Sequence, residues 1–339
     1  MPADILIEDL PLGAPSRLAW VPISNAGVSG KLTVGQILDL VINAAPGALD
    51  TLKELADALG DDPNYATTVT NALAAKANSA DVAASFAALV IPSVTEGGLL
   101  SNNGANPNTH VDFAAMSVRS GSVFASSGSS ITKRINATWA AGTGSGGLDA
   151  GAVAAGATYF AYALRKTADA SLDVVLSTSP TIGGVTTTLL AGYTIVKCIG
   201  VVLTDGSSNI RPFTMYPRDE YTFTTPVKDA VNLASSTASA LLALTVPNGV
   251  KAKAKLRFQF QSSSTTNAVL IHDPAQGVLV AGVTSDGGNA GAIQVASSYA
   301  IGSGEIWTNT NKQVRHVAGG AGNIWVWTDG FHFPCGRIS

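Results

Sequence analysis

The sequence is poor in cysteine, aromatic residues and charge, and each shortage removes a class of protein. Two cysteines, Cys198 and Cys335, are too few for a disulfide framework or a cysteine-rich zinc site. Cys198 lies in an apolar run and reads as a buried thiol. Aromatics make up 6% of a chain that is 46% hydrophobic, so the apolar content is mostly Ala, Val and Leu. Charged residues are 13%, about half the usual quarter. With a net charge of −3, this pattern excludes a polybasic nucleic-acid binder and an acidic disordered chain. No apolar run approaches the ~18 residues of a membrane helix, so no membrane insertion is expected. The opening residues MPADILIEDLPLG lack a basic region followed by an apolar core, so no signal peptide is expected.

What is present fits a β-rich, assembled protein. There are 35 glycines, and 339 residues suggest two or three domains. Residues 1–45 read as an attachment segment. Val21 to Ser24 is extended, Asn25-Ala26-Gly27 is a turn, and Thr33-Val34-Gly35-Gln36 has the form of a capping box opening a helix through Ile37, Leu38 and Val41.

Residues 46–95 carry two short amphipathic helices. Ala48, Leu52, Leu55 and Leu59 form one stripe, and Gly60 suits the position after a helix end. Asp62-Pro63 suits a second helix start, after which Ala66, Val69 and Leu73 form a narrower stripe. Such short helices are unstable alone. Their stripes need something to pack on, and a second copy of the chain is the simplest candidate.

The stretch LDTLKELADALGDDPNYATTVTNALAAKAN resembles a helical motif that recurs in bacteriophage tail-fibre proteins, and AWVPISNAGVSGKLTVGQILDLV resembles the N-terminal parts of phage tail proteins. Together they cover residues ~17 to 80. Such fibres are typically parallel homotrimers. The resemblance therefore implies trimerisation, with Leu52, Leu55, Leu59, Val69 and Leu73 as the joining residues, and attachment to other tail or baseplate proteins through the N-terminal segment.

From residue ~97 strands take over, with Gly97-Gly98 and Asn102-Asn103-Gly104 read as a linker. A central β domain is expected over 96–225. Within it, residues 193–202 read as a strand covered on both sides, and Asp205 to Asn209 as a turn opening a return strand. ITKRINATWAAGTGSGGLDAG and the later GYTIVKCIGVVLTDGSS resemble a β domain of phage tail proteins. A C-terminal β-sandwich tip is expected over 226–339. There Lys251, Lys253, Lys255, Arg257 and Gln259 alternate with Ala252, Ala254, Leu256, Phe258 and Phe260, the period of a half-buried strand with a basic outer face. The end, IWVWTDGFHFPCGRIS, resembles the close of similar phage proteins.

Motifs for chemistry are sparse. Gly142, Gly144, Gly146 and Gly147 have the wrong spacing for a dinucleotide loop and no following Lys-Ser or Lys-Thr, so they read as a β-loop. His332 and Cys335 are two candidate metal ligands where three or four are usual, and no metal is expected from one chain. A trimer axis is the exception, where one histidine per chain supplies three ligands. Asp169 with Asp173, Asp219 with Glu220, and Asp273 are the carboxylates available for glycan cleavage, and nothing singles out a pair. No catalytic residues, no cofactor and no enzymatic activity are expected.

For binding, Trp307, Trp325 and Trp327 offer stacking faces, against the commoner fate of core packing. Trp325 and Trp327 should share one strand face, opposite Ile324 and Val326. Lys255 and Arg315 could meet anionic groups, while the ordinary readings of the basic stripe are a solvated face or a lysine-blunted edge strand. The expectation is a mainly β fibre with a short N-terminal α-helical trimerisation region and multiple β-sandwich domains. It would be a virion component that forms a homotrimer and binds a host cell-surface glycan or protein. A decorating or collar fibre without a receptor role, and a polysaccharide depolymerase, are the alternatives. The depolymerase reading lacks clustered carboxylates and the strand period of a β-helix.

Overall fold

The structure, a computed structural model, describes residues 16–25, 27–42, 59–60, 64–76, 93–277, 279–281, 290–293, 300–335 and 337–338. The chain divides into two compact units, residues 1–85 and 86–339.

In the first unit a hairpin pairs β1 (Trp20–Asn25) with β2 (Val28–Thr33), turning through Gly27 at φ +81°. A helix, Val34–Ile42, follows at once. Its start is the capping box expected from the sequence. The Gln36 backbone N–H donates to Thr33 Oγ1 at 3.1 Å, and the Thr33 N–H donates to Gln36 Oε1 at 2.9 Å. A second helix spans Tyr65–Lys76. Of the joining residues, Leu52 and Leu55 lie outside the described residues. Leu59 and Val69 are half-buried, and Leu73 is 63% exposed within this single chain.

The second unit is built of strands. Its first part contains β3 (Val94–Gly97), β4 (Leu100–Asn102), β5 (His110–Phe113), β6 (Met116–Ser120), β7 (Val123–Ser127), β8 (Ile131–Thr138) and β9 (Ser145–Leu148). β10 (Thr158–Lys166), β11 (Leu172–Ser177), β12 (Tyr193–Leu203) and β13 (Phe213–Tyr216) follow. Then come β14 (Glu220–Ser235), β15 (Ala240–Ala243), β16 (Lys253–Gln261), β17 (Ala268–His272) and β18 (Ala290–Ile293). β19 (Ala300–Trp307), β20 (Gln313–Ala318), β21 (Gly322–His332) and β22 (Arg337–Ile338) end it.

Twelve of these strands join edge to edge in the order β12-β10-β11-β9-β8-β5-β4-β13-β14-β21-β16-β19. Among the described residues, two four-stranded sheets complete the unit, β22-β3-β6-β7 and β15-β20-β17-β18. The second of these, with the β14-β21-β16-β19 end of the long sheet, forms a β-sandwich. Leu256, Phe258, Phe260, Ile306, Ile324 and Val326 from one sheet share a core with Val269, Ile271 and Val314 from the other. The alternation read in β16 is real: Ala254, Leu256, Phe258 and Phe260 point in, and Lys253, Lys255, Arg257 and Gln259 point out. β16 is an interior strand between β21 and β19, however, so its bases do not blunt an edge.

The division expected at 225 and 226 falls inside β14. Residues Glu220–Phe223 pair with β13, and the same strand pairs with β21 from Glu220↔His332 to Ser235↔Gly322. One core cluster spans both sides of this strand. Nor are Gly97 and Gly98 a linker. They turn the chain tightly between β3 and β4 at φ +70° and +67°, and a Cβ on Gly97 would stand 2.5 Å from the Ala115 carbonyl oxygen. β12 is covered on both faces from Ile199 to Leu203, as its sequence suggests. Its return partner is limited to one bridge, Thr204↔Ile210, because β13 pairs with β4 and β14 instead.

Candidate functional site: the outer face of the C-terminal sandwich

Trp307, Trp325, Trp327 and Lys255 share the outward face of β14-β21-β16-β19, spread along it, with Trp307 in the row of Lys253, Trp327 in that of Arg257 and Trp325 in that of Gln259. Ile324, Val326 and Thr328 fill the inner side of β21, so the period of two turns Trp325 and Trp327 outward. Both are half-buried, and Trp307 on the edge strand β19 is 39% exposed. The registers stack these residues in rows. Trp327 lies between Lys228 of β14 and Arg257 of β16. Trp325 pairs with Gln259, which pairs in turn with Ile301, 72% exposed. Opposite Trp325, β14 bulges between Ala230 and Leu233, carrying Val231 at 60% exposure and Asn232 at φ +53°. Arg315 is elsewhere. It lies on β20 of the facing sheet, paired with Leu241 and His272, and its Nη1 donates to Ser239 Oγ at 3.2 Å.

Three bases of the stripe, Lys253, Lys255 and Arg257, each face a carboxylate. Lys253 Nζ is 2.9 Å from Glu305 Oε2, and His332 Nε2 is 3.3 Å from Glu305 Oε1. The hydrogen bond from Lys253, with a smaller contribution from His332, holds the Glu305 carboxyl below its usual range. Lys255 Nζ pairs with Glu220 and reaches Thr222 Oγ1. Arg257 grips Asp329 with two groups, Nε at 2.8 Å from Oδ2 and Nη2 at 2.9 Å from Oδ1, which raises its pKa further. Lys228 Nζ stands 5.4 Å over the Trp327 ring. The acids come from other strands, 35 residues away for Glu220 and 72 for Asp329, so no local spacing reveals them.

At the end of this face farthest from β13 lies a groove of about 690 Å³ lined by Ser235, Ser236, Gln261, Ser262, Ser263 and Asn323, with Ala234, Ala321 and Gly322. The Ser262 hydroxyl donates to Ala321 O at 2.9 Å and accepts from Asn267 Nδ2 at 2.7 Å. Ser235 Oγ lies 3.1 Å from His316 Nδ1. Sequence reading missed this groove. Its one signal is that β14 and β16 each run out into consecutive serines.

The other candidates are tied into the fold. Lys133, fully enclosed, donates to the carbonyl oxygens of Ala140 and Gly142 at 2.9 Å each and sits 2.7 Å from Asp173 Oδ1. Gly142 N–H donates to Asp173 Oδ2 at 2.8 Å. The glycine loop's main chain is thus engaged by an ion pair, beside a cavity of about 310 Å³. Asp169 binds Ser171 and Lys166, which hold its carboxyl at about 2. Asp219 accepts from Cys335 N–H, and Asp273 accepts from Ala275 N–H. Among the described residues no three His, Cys, Asp or Glu side chains cluster as metal ligands, and no helix is long and apolar enough to cross a membrane.

No family model matches the chain. A stretch of 53 residues, 16% of the chain, is 47% identical to a probable tail fiber protein of Escherichia phage P2 and spans 8% of that protein. Two solved structures, a viral particle of IBDV and a subviral particle of infectious bursal disease virus, align over 72% and 70% of the chain. Their identities are 11% and 10% and their TM-scores 0.21 and 0.18, and overlap at that level assigns no fold. They cover 69% and 70% of those two chains. The relation that remains is that a short part of this mainly β chain is similar to part of a phage tail fibre.

Proposed function

We propose that the chain is a structural component of a phage virion, a trimeric tail fibre or baseplate fibre, which contacts the host surface through the outer face of its C-terminal sandwich. The observation that carries this reading is that Trp307, Trp325, Trp327 and Lys255 all lie on one outward sheet face. The similarity to a tail fibre over 53 residues supports the virion setting. The N-terminal hairpin and helix are the natural point for tail or baseplate proteins to attach. Labelled full-length chain should bind host cells and compete with phage adsorption. If it does neither while intact particles still adsorb, the receptor role belongs to another protein.

A decorating or collar fibre without a receptor role is the second reading. It is favoured by the carboxylates already matched to Lys253, Lys255 and Arg257, which leave those three bases less free to meet an anionic receptor.

A further inference from the structure

We infer that the groove at the far end of the sandwich takes an uncharged, hydroxyl-rich ligand, a segment of neutral oligosaccharide. The inference rests on the host-surface reading and gives it a ligand class. Among the described residues the lining carries hydroxyls and amides but no charged side chain. Hydroxyl and amide groups both donate and accept, as sugar hydroxyls do, whereas a carboxylate or phosphate needs cations that this lining lacks.

Gln261 and Asn323 are the reading pair. They are direct cross-strand partners on the outward face, and their side-chain amides make no hydrogen bond within the chain among the described residues. Each amide offers two donors and an acceptor, side by side, to neighbouring hydroxyls. The floor is already fixed by the Ser262 bonds to Ala321 and Asn267 and by the Ser235–His316 contact, so the ordering on binding falls on the Gln261 and Asn323 side chains. Trp325 lies two residues along β21 from Asn323, on the same face, beside the groove. The groove, about 690 Å³, is open to solvent, so a chain of sugar rings can lie along it. An anionic glycan has little to gain next door, where Lys253, Lys255 and Arg257 already face carboxylates.

The test uses labelled full-length protein on cells that the phage adsorbs to. Binding is measured before and after mild periodate oxidation, which cleaves vicinal diols, and at low salt and at about 1 M salt, where charges are screened beyond about 3 Å. The double variant Gln261→Ala, Asn323→Ala is run in parallel, with its thermal unfolding measured to confirm that it folds. Binding should disappear after periodate, hold in high salt, and weaken about tenfold or more in the double variant. Binding that falls with salt, survives periodate, or is unchanged in a folded double variant overturns the groove assignment and leaves the host-surface reading standing. No binding to cells in any condition overturns both.

Discussion

Lys133 shows what a charge needs in order to stay inside this fold. Burial lowers its pKa, and the hydrogen bond and charge of the Asp173 carboxylate work against that. Asp173→Asn leaves the ammonium buried without its counter-charge and should cost about 3–5 kcal/mol, read as a lower urea midpoint. Asp173 and Glu220 are ion-paired and Asp219 accepts from the Cys335 N–H, and purified chain incubated with host polysaccharide should release no reducing ends. Product that accumulates with time would promote the depolymerase reading.

His316 gives a pH dependence. Burial lowers its pKa from 6.5. As pH falls through that value the unfolded chain takes up a proton that the folded chain refuses, so stability falls with pH. The slope is at most about 1.4 kcal/mol per pH unit per such group. His110 shifts the same way, through burial and Arg134. Melting temperature should therefore drop between about pH 7.5 and pH 5.5, and His316→Asn should remove part of the drop.

At the scale of elements, what the sequence revealed was local. Thr33 and Gln36 cap their helix because both partners of the box lie within four residues. β16 shows its two faces because burial alternates along a single strand. What it hid was pairing at a distance. The acids that neutralise β16 sit on β14, β19 and β21, and the groove exists only because the ends of β14, β16 and β21 come together. Gly97-Gly98 looked like a linker because a left-handed tight turn and a flexible joint have the same composition. The cysteines are a further case: 137 residues apart, Cys198 and Cys335 bring their sulfurs to 4.0 Å. The hydrogen bond with Cys335 lowers the Cys198 thiol pKa. A dithiol oxidant such as diamide should join them, taking up the two electrons and two protons released. The product should be 2 hydrogens lighter, and its melting temperature should rise, since a long loop is closed in the unfolded chain. Gly302 is a packing counterpart. A Cβ there would strike the buried Phe258 ring, so Gly302→Val should lower stability by about 1–3 kcal/mol in chemical denaturation.

For the whole molecule, assembly is the main expectation. Leu73 at 63% exposure on a helix of 12 residues is consistent with a face completed by other copies. Light scattering should give three times 34.3 kDa. A stable monomer across micromolar concentrations would remove the trimer. The most consequential element at this scale is β14, 16 residues long and shared by the two parts of the second unit. Its consequence is mechanical. A load applied at the groove acts lengthwise on β14, β16 and β21, whose ends form it. Tension along a ladder stresses its rungs together in shear, whereas tension across it would break them one after another. On the way back toward β13 the load follows one covalent strand, whose pairing with β21 shifts register at three places but whose two sides share one core. In single-molecule pulling, residues 93–335 should therefore yield in one rupture, with no earlier, weaker event at the junction.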